Sequence, residues 1–128
     1  MSKETIPVPE LCSYAEYGFM QCVTKDQLVF VTGQRGVDKE GRIVSDDIGK
    51  QTETVFNNIQ YALKASGSNL NNILSMTCFI VDIKKNSPLF WATRKKMMPT
   101  TSYTSATIGI AELADPRSLI EIQCVACR

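Results

Sequence analysis

The sequence predicts an α+β domain, a mixed sheet with two helices on one of its faces. Three observations carry this prediction. Apolar runs of strand length flank two helical stretches, and the longer helical stretch keeps a single apolar stripe. The central strand runs are apolar on both sides, which is more surface than two helices can cover. With 128 residues, 44% of them apolar, the chain reads as one domain over 1–128 that can bury a real core.

In chain order, the first strand is predicted over residues 12–23, and Lys25-Asp26 marks a turn. Leu28-Val29-Phe30-Val31-Thr32-Gly33 is a second strand. Asp38-Lys39-Glu40-Gly41 follows as a tight turn, since glycine tolerates a positive φ. The first helix is predicted over 47–65. Ile48, Thr52, Val55, Ile59 and Leu63 line one stripe of it, and Ser66-Gly67 ends it. Residues 73–83 form a third strand. A second helix is predicted over 88–98, with Ser87 as N-cap and Pro88 in its first position. Residues 106–110 give another strand, 114–118 a turn, and 119–126 the last strand. Leu28 and Phe30 stand opposite Val29 and Val31, while Met76, Cys78 and Ile80 stand opposite Phe79, Val81 and Ile83. The sheet face left bare by the helices is therefore expected to pack against further copies of the chain.

Charge and composition exclude several classes. Fourteen basic residues against thirteen acidic ones give no electrostatic footprint for nucleic acid or an anionic membrane. The short cluster Arg94-Lys95-Lys96 reads as a solvated helix face. No apolar run approaches the roughly 20 residues of a membrane span, and the first residues lack the apolar centre of a signal peptide. A cytoplasmic protein is expected. The five cysteines are odd in number and lie mostly in apolar strands, as reduced thiols do. Cys124 and Cys127 form a Cys-x-x-Cys, but residues three apart in a strand point to opposite faces, and there is no histidine. No metal and no cofactor are expected.

The residue that draws attention is Glu121, inside Leu119-Ile120-Glu121-Ile122-Gln123-Cys124-Val125-Ala126. Alternation puts Ile120, Ile122, Cys124 and Ala126 on one face and Leu119, Glu121, Gln123 and Val125 on the other. An ionised carboxylate among apolar neighbours is costly unless it is hydrogen-bonded or faces a wet cleft. Two readings are open: an ordinary outward-facing strand glutamate, or a site carboxylate.

Five stretches, in this order and spacing, bear on the choice. They are Phe30-Val31-Thr32-Gly33-Gln34; Ala62-Leu63-Lys64-Ala65-Ser66-Gly67; Thr77-Cys78-Phe79-Ile80-Val81-Asp82-Ile83; Ala106-Thr107-Ile108-Gly109-Ile110-Ala111; and Leu113-Ala114-Asp115-Pro116 leading to Ile120-Glu121-Ile122. Through them residues 11–128 resemble the reactive intermediate deaminase family, RidA/YjgF. The resemblance implies a chorismate-mutase-like subunit assembled as a homotrimer with a cleft between each pair of subunits. It implies hydrolysis of 2-imino or enamine acids to 2-keto acids and ammonia, without cofactor. It assigns Glu121 to orient or deprotonate the water and Tyr14 to line the cleft. Backbone groups around Gly33, with Gln34 beside it, and the Thr107 hydroxyl complete the binding site.

The chain departs from the family pattern at one telling position. The family's carboxylate-gripping arginine stands two residues before the Thr107 position, where Tyr103-Thr104-Ser105-Ala106-Thr107 presents Ser105. The loop 99–102 is shorter than usual, and Trp91 replaces a small polar residue of many members. Losing a buried charge-assisted contact costs about 2–5 kcal/mol of substrate binding, roughly 30-fold to several thousand-fold in affinity. Arg35, just after Gly33-Gln34, reads either as a replacement cation or as an exposed loop arginine. Alternatively, Ser105, Thr107 and Tyr103 form a neutral pocket, with Trp91 as its wall or simply as a packed helix aromatic. The expected function is a deaminase of small imines or enamines with altered or reduced activity. The alternative is a non-catalytic trimer that binds metabolites or protein partners. An endoribonuclease or translation inhibitor ranks third: there is no histidine for acid–base cleavage and no aromatic–basic interleaving.

Overall fold

The computed structural model describes residues 3–128, in which a six-stranded mixed sheet carries two helices on one face. The elements are β1 (Lys3–Thr5), β2 (Cys22–Lys25), β3 (Leu28–Arg35), α1 (Ile48–Ala65), β4 (Ile73–Val81), α2 (Ile83–Met97), β5 (Thr104–Ile110) and β6 (Ile120–Cys127). The strand order is β1-β2-β3-β6-β4-β5. β4 and β5 run parallel, with α2 as their crossover, and the other neighbours are antiparallel.

The first helix matches its pattern. Asp47 caps it, its carboxylate accepting from the Lys50 N–H at 2.9 Å, and every residue of the predicted stripe is buried. That stripe, with Phe56, packs on Val29, Val31, Met76, Cys78, Ile80, Ile120, Ile122 and Cys124 of the sheet. On the other face Leu28, Phe30 and Ile108 are 40%, 43% and 44% exposed, so the bare apolar surface is real in the single subunit. Burial among apolar neighbours pushes the Cys124 thiol up to about 12, which suits a core hydrophobe. Among the described residues, no helix is long and apolar enough to cross a membrane.

Two predicted elements need correction. Residues 12–23 are not a strand: only Cys22 onward pairs, and the rest is a loop with a 3₁₀ turn at Ala15–Tyr17 closed by Gly18 at φ +93°. Its apolar residues stack on one another instead, Tyr14 on Phe19 at 4.9 Å between ring centres. The second helix starts at Ile83 rather than 88, leaving Pro88 inside it. Asp82, at φ +50°, turns the chain out of β4, and Asn86 donates to the Val81 carbonyl at 2.7 Å. Gly109 leaves the space for Ile83 to reach β5, since a Cβ there would come within 2.8 Å of the Ile83 side chain. These contacts outweigh the one intrahelical bond that Pro88 removes.

One irregularity of the sheet decides where the site lies. Val31 pairs with Cys124 but Gln34 pairs with Ile122, so three steps along β3 match two along β6. This bulge reverses the alternation of β3. Val29, Val31 and Gln34 face the core, and Arg35 emerges opposite Glu121 on the bare face.

Candidate active site

The bulge, the loop that follows Cys12, the turn at Asp115 and the start of β6 enclose a cleft of about 800 Å³. It brings together Tyr14, Gly33, Arg35, Asp115 and Glu121, with Cys12 at its margin. Arg35 and Glu121 are register partners across β3 and β6. Arg35 Nη2 donates to the Tyr14 hydroxyl at 3.0 Å, and Nη1 lies 3.6 Å from Asp115 Oδ2. The Arg35 side chain is only 16% exposed, so it is a cleft cation and not the solvated loop arginine of the other reading.

Glu121 is half-buried, and its carboxylate oxygens have no hydrogen-bond donor among the described residues. Burial pushes its carboxyl above the usual value, and the Arg35 charge pulls it partly back. Burial likewise raises the Tyr14 hydroxyl, opposed by the hydrogen bond from Arg35. A carboxylate with unengaged oxygens and a raised proton affinity is equipped to hold and deprotonate a water. Gly33 permits its position: a Cβ at residue 33 would collide with the Glu121 carboxylate, at 2.7 Å from Cδ.

The other candidates lie elsewhere in the subunit. Gln34 points into the core, where it donates to Gln21 Oε1 at 2.6 Å, and Gln21 donates to the Cys12 carbonyl at 2.7 Å. Gln34 therefore braces the loop that carries Tyr14 and does not line the cleft. Ser105 and Thr107 pair with Met76 and Cys78, which places them on the helix side of the sheet, whereas Glu121 pairs with Phe79 on the bare side. One subunit cannot bring Ser105 and Glu121 into the same pocket. Trp91 is 52% exposed on α2 and neither lines nor plugs the Glu121 cleft. Sequence reasoning missed Asp115, although it lies in one of the quoted stretches. It also missed Arg94, read as a solvated face, whose Nη1 donates to Ser105 Oγ at 2.8 Å. No spacing in the sequence connects those two residues.

Two helices laid on one face of a mixed sheet, with a carboxylate-bearing cleft beside a β-bulge on the other, define the class of protein. A family profile described as Endoribonuclease L-PSP matches residues 11–128, and the chain belongs to that family, RidA/YjgF. Protein mmf2, mitochondrial, of Schizosaccharomyces pombe is 30% identical over 128 residues, covering 98% of each chain. Reactive Intermediate Deaminase A, chloroplastic, of Arabidopsis thaliana is 32% identical over 111 residues. That match covers 84% of this chain but 57% of the plant protein. Among solved structures, yeast Mmf1 superposes with a TM-score of 0.92 over 99% of both chains at 24% identity, a likeness of fold.

Proposed function

We propose that this protein is a hydrolytic deaminase of small reactive imines or enamines, working in clefts of a homotrimer. The observation that carries the reading is the Glu121 carboxylate, without a hydrogen-bond donor among the described residues and raised by burial, beside the Arg35–Tyr14 pair. Glu121 takes a proton from water as the oxygen bonds to the imine carbon, the C=N electron pair moves to nitrogen, and Glu121 passes the proton on to that nitrogen. Collapse of the resulting carbinolamine expels ammonia and leaves the C=O group. Such a carbon is already electrophilic, so positioning and proton transfer are the main demands on the protein.

Arg35 replaces the cation missing at Ser105. Its 3.6 Å separation from Asp115 exceeds the roughly 2.7–2.9 Å of a tight charge-assisted bond, so a substrate carboxylate can compete for it. The bare face bearing Leu28, Phe30 and Ile108 supplies the surface for association. Association of this kind also offers the means to set Ser105 and Thr107 of one copy near Glu121 of another. The test is to generate 2-iminobutanoate enzymatically, add the protein and follow 2-oxobutanoate. Acceleration that disappears in Glu121→Gln supports the reading. No acceleration with this or a panel of other imines overturns it, and thermal stabilisation by keto acids without turnover would mark a binding protein instead.

A further inference from the structure

The loop that carries Tyr14 has little of its own to hold it in place. From Ser13 to Met20 no residue is buried. Its backbone bonds close on themselves, Tyr17 and Gly18 donating to the Tyr14 and Ala15 carbonyls, and Phe19, on which Tyr14 stacks, belongs to the same loop. Yet the Tyr14 hydroxyl sits at a defined point, accepting from Arg35 Nη2 at 3.0 Å. What fixes it lies underneath. Gln21 and Gln34 are 7% and 3% exposed. Gln34 Nε2 donates to Gln21 Oε1 at 2.6 Å and to the Thr32 carbonyl at 3.0 Å. Gln21 Nε2 donates to the Cys12 carbonyl at 2.7 Å and approaches Cys12 Sγ at 3.8 Å. Each amide nitrogen thus has two hydrogens and two acceptors, and the donors run in one direction, from the bulge through Gln21 to Cys12. The Thr32 N–H, donating to the Gln21 carbonyl at 2.9 Å, ties the same corner again.

Gln34 and Arg35 are neighbours on β3 that face opposite sides of the sheet. One short piece of strand therefore holds the loop twice, from the core side through Gln34 and from the cleft through Arg35. The contacts close a circuit through Arg35, Tyr14, Cys12, Gln21 and back to Gln34. Its buried half is the stiff half, because a buried amide that lets go leaves its partner unpaired, whereas the Arg35–Tyr14 contact borders a wet cleft. We propose that Gln21 and Gln34 are positioning residues: their amide bridge sets where the Tyr14 hydroxyl meets Arg35 and so, on the reading that Arg35 takes the substrate carboxylate, how that cation is aimed. Neither side chain touches substrate.

Two readouts need no turnover. Slowly exchanging Nη–H signals of Arg35 in a ¹⁵N–¹H spectrum of the full chain should be lost in Tyr14→Phe, which removes the acceptor. They should be lost equally in Gln34→Met and Gln21→Met, which leave that acceptor in place. Pulsed alkylation read by peptide mass should find Cys12 several-fold faster in both methionine variants, with Cys22 and Cys124 of the core still protected. In the imine assay the same variants should raise KM roughly tenfold with kcat within about threefold of the wild type. Gln34→Met should add nothing further in a Tyr14→Phe background. Retained Arg35 signals in the methionine variants, wild-type protection of Cys12, or KM effects that multiply in the double variant would overturn the proposal. Reaction of Cys22 and Cys124 would mark general unfolding. Gln34→Asn, an amide one methylene too short to reach Gln21, then takes the place of Gln34→Met, and core reaction there too would overturn the proposal in favour of a purely structural role. A wild type without turnover would sink the deaminase reading, while the Arg35 and Cys12 readouts would still decide whether the amide bridge sets the pair.

Discussion

Gly33→Ala separates the position of Glu121 from the stability of the fold. The added methyl carbon would stand 2.7 Å from Glu121 Cδ and 3.0 Å from Cγ. Carbon atoms are comfortable at about 3.5–4.0 Å, so the overlap is roughly an ångström. The struck atoms are the end of a side chain, which can swing aside for about 0.5–1.5 kcal/mol of rotamer strain. Alanine offsets about 0.4–1 kcal/mol of this by narrowing the unfolded ensemble. At roughly 4 °C per kcal/mol for a chain of this size, the melting temperature should move by only a few degrees. A reacting group displaced by about 1 Å, however, loses on the order of 100-fold in rate. Gly36→Ala is the contrasting case. Its methyl group would meet the backbone of α1, 2.7 Å from Gln51 Cα, where nothing flexible can yield. It should cost about 1–3 kcal/mol or more, a fall of roughly 4–12 °C. Thermal melts of both variants, with the keto-acid assay on Gly33→Ala, test the pair. Gly33→Ala with wild-type turnover would refute the importance of the Glu121 position, and a melt as low as that of Gly36→Ala would refute its freedom to move.

Four other perturbations follow from the same geometry. Because burial raises the Glu121 carboxyl, the folded chain holds that proton more tightly than the unfolded one. The associated stability is present below the unfolded value of 4.5 and lost as pH rises through the folded value. Glu121→Gln should therefore gain on the wild type in denaturant midpoint as the pH rises above 4.5, and a constant difference would contradict this. Arg35→Gln removes the charge that pulls Glu121 down, so a ¹³C carboxyl titration should move further up; a downward move would be inconsistent. Gln51 is fully buried, donates to the Ser45 and Arg117 carbonyls at 2.8 and 3.1 Å, and accepts from the Leu119 N–H at 2.9 Å. Gln51→Ala should cost about 2–4 kcal/mol in urea unfolding, because three backbone groups lose their partner. Phe30→Asp puts a charge on the bare face; light scattering should find a trimer mass for the wild type and a monomer for the variant, and a monomeric wild type would defeat the assembly reading.

The amino-acid sequence by itself determined the α+β class, α1 and its buried stripe, the inward face of β6 and the surplus of apolar strand surface. These depend on periodicity and capping, which act over a few residues. The same local rules misled at 12–23, where aromatic residues stack on each other, and at α2, where Pro88 looked like a first position but is carried inside the helix by contacts of Asp82, Ile83 and Asn86. Family resemblance pointed to Tyr14, Gly33 and Glu121, and gave no means of choosing between two roles for Arg35. Only the tertiary structure placed its side chain in the cleft opposite Glu121. The register shift on β3 depends on how it pairs with β6, so the face to which Arg35 turns is a property of two strands about 90 residues apart and of no short segment. For the same reason Arg94 and Ser105, one on a helix and one on the next strand, meet only once both are packed on β4.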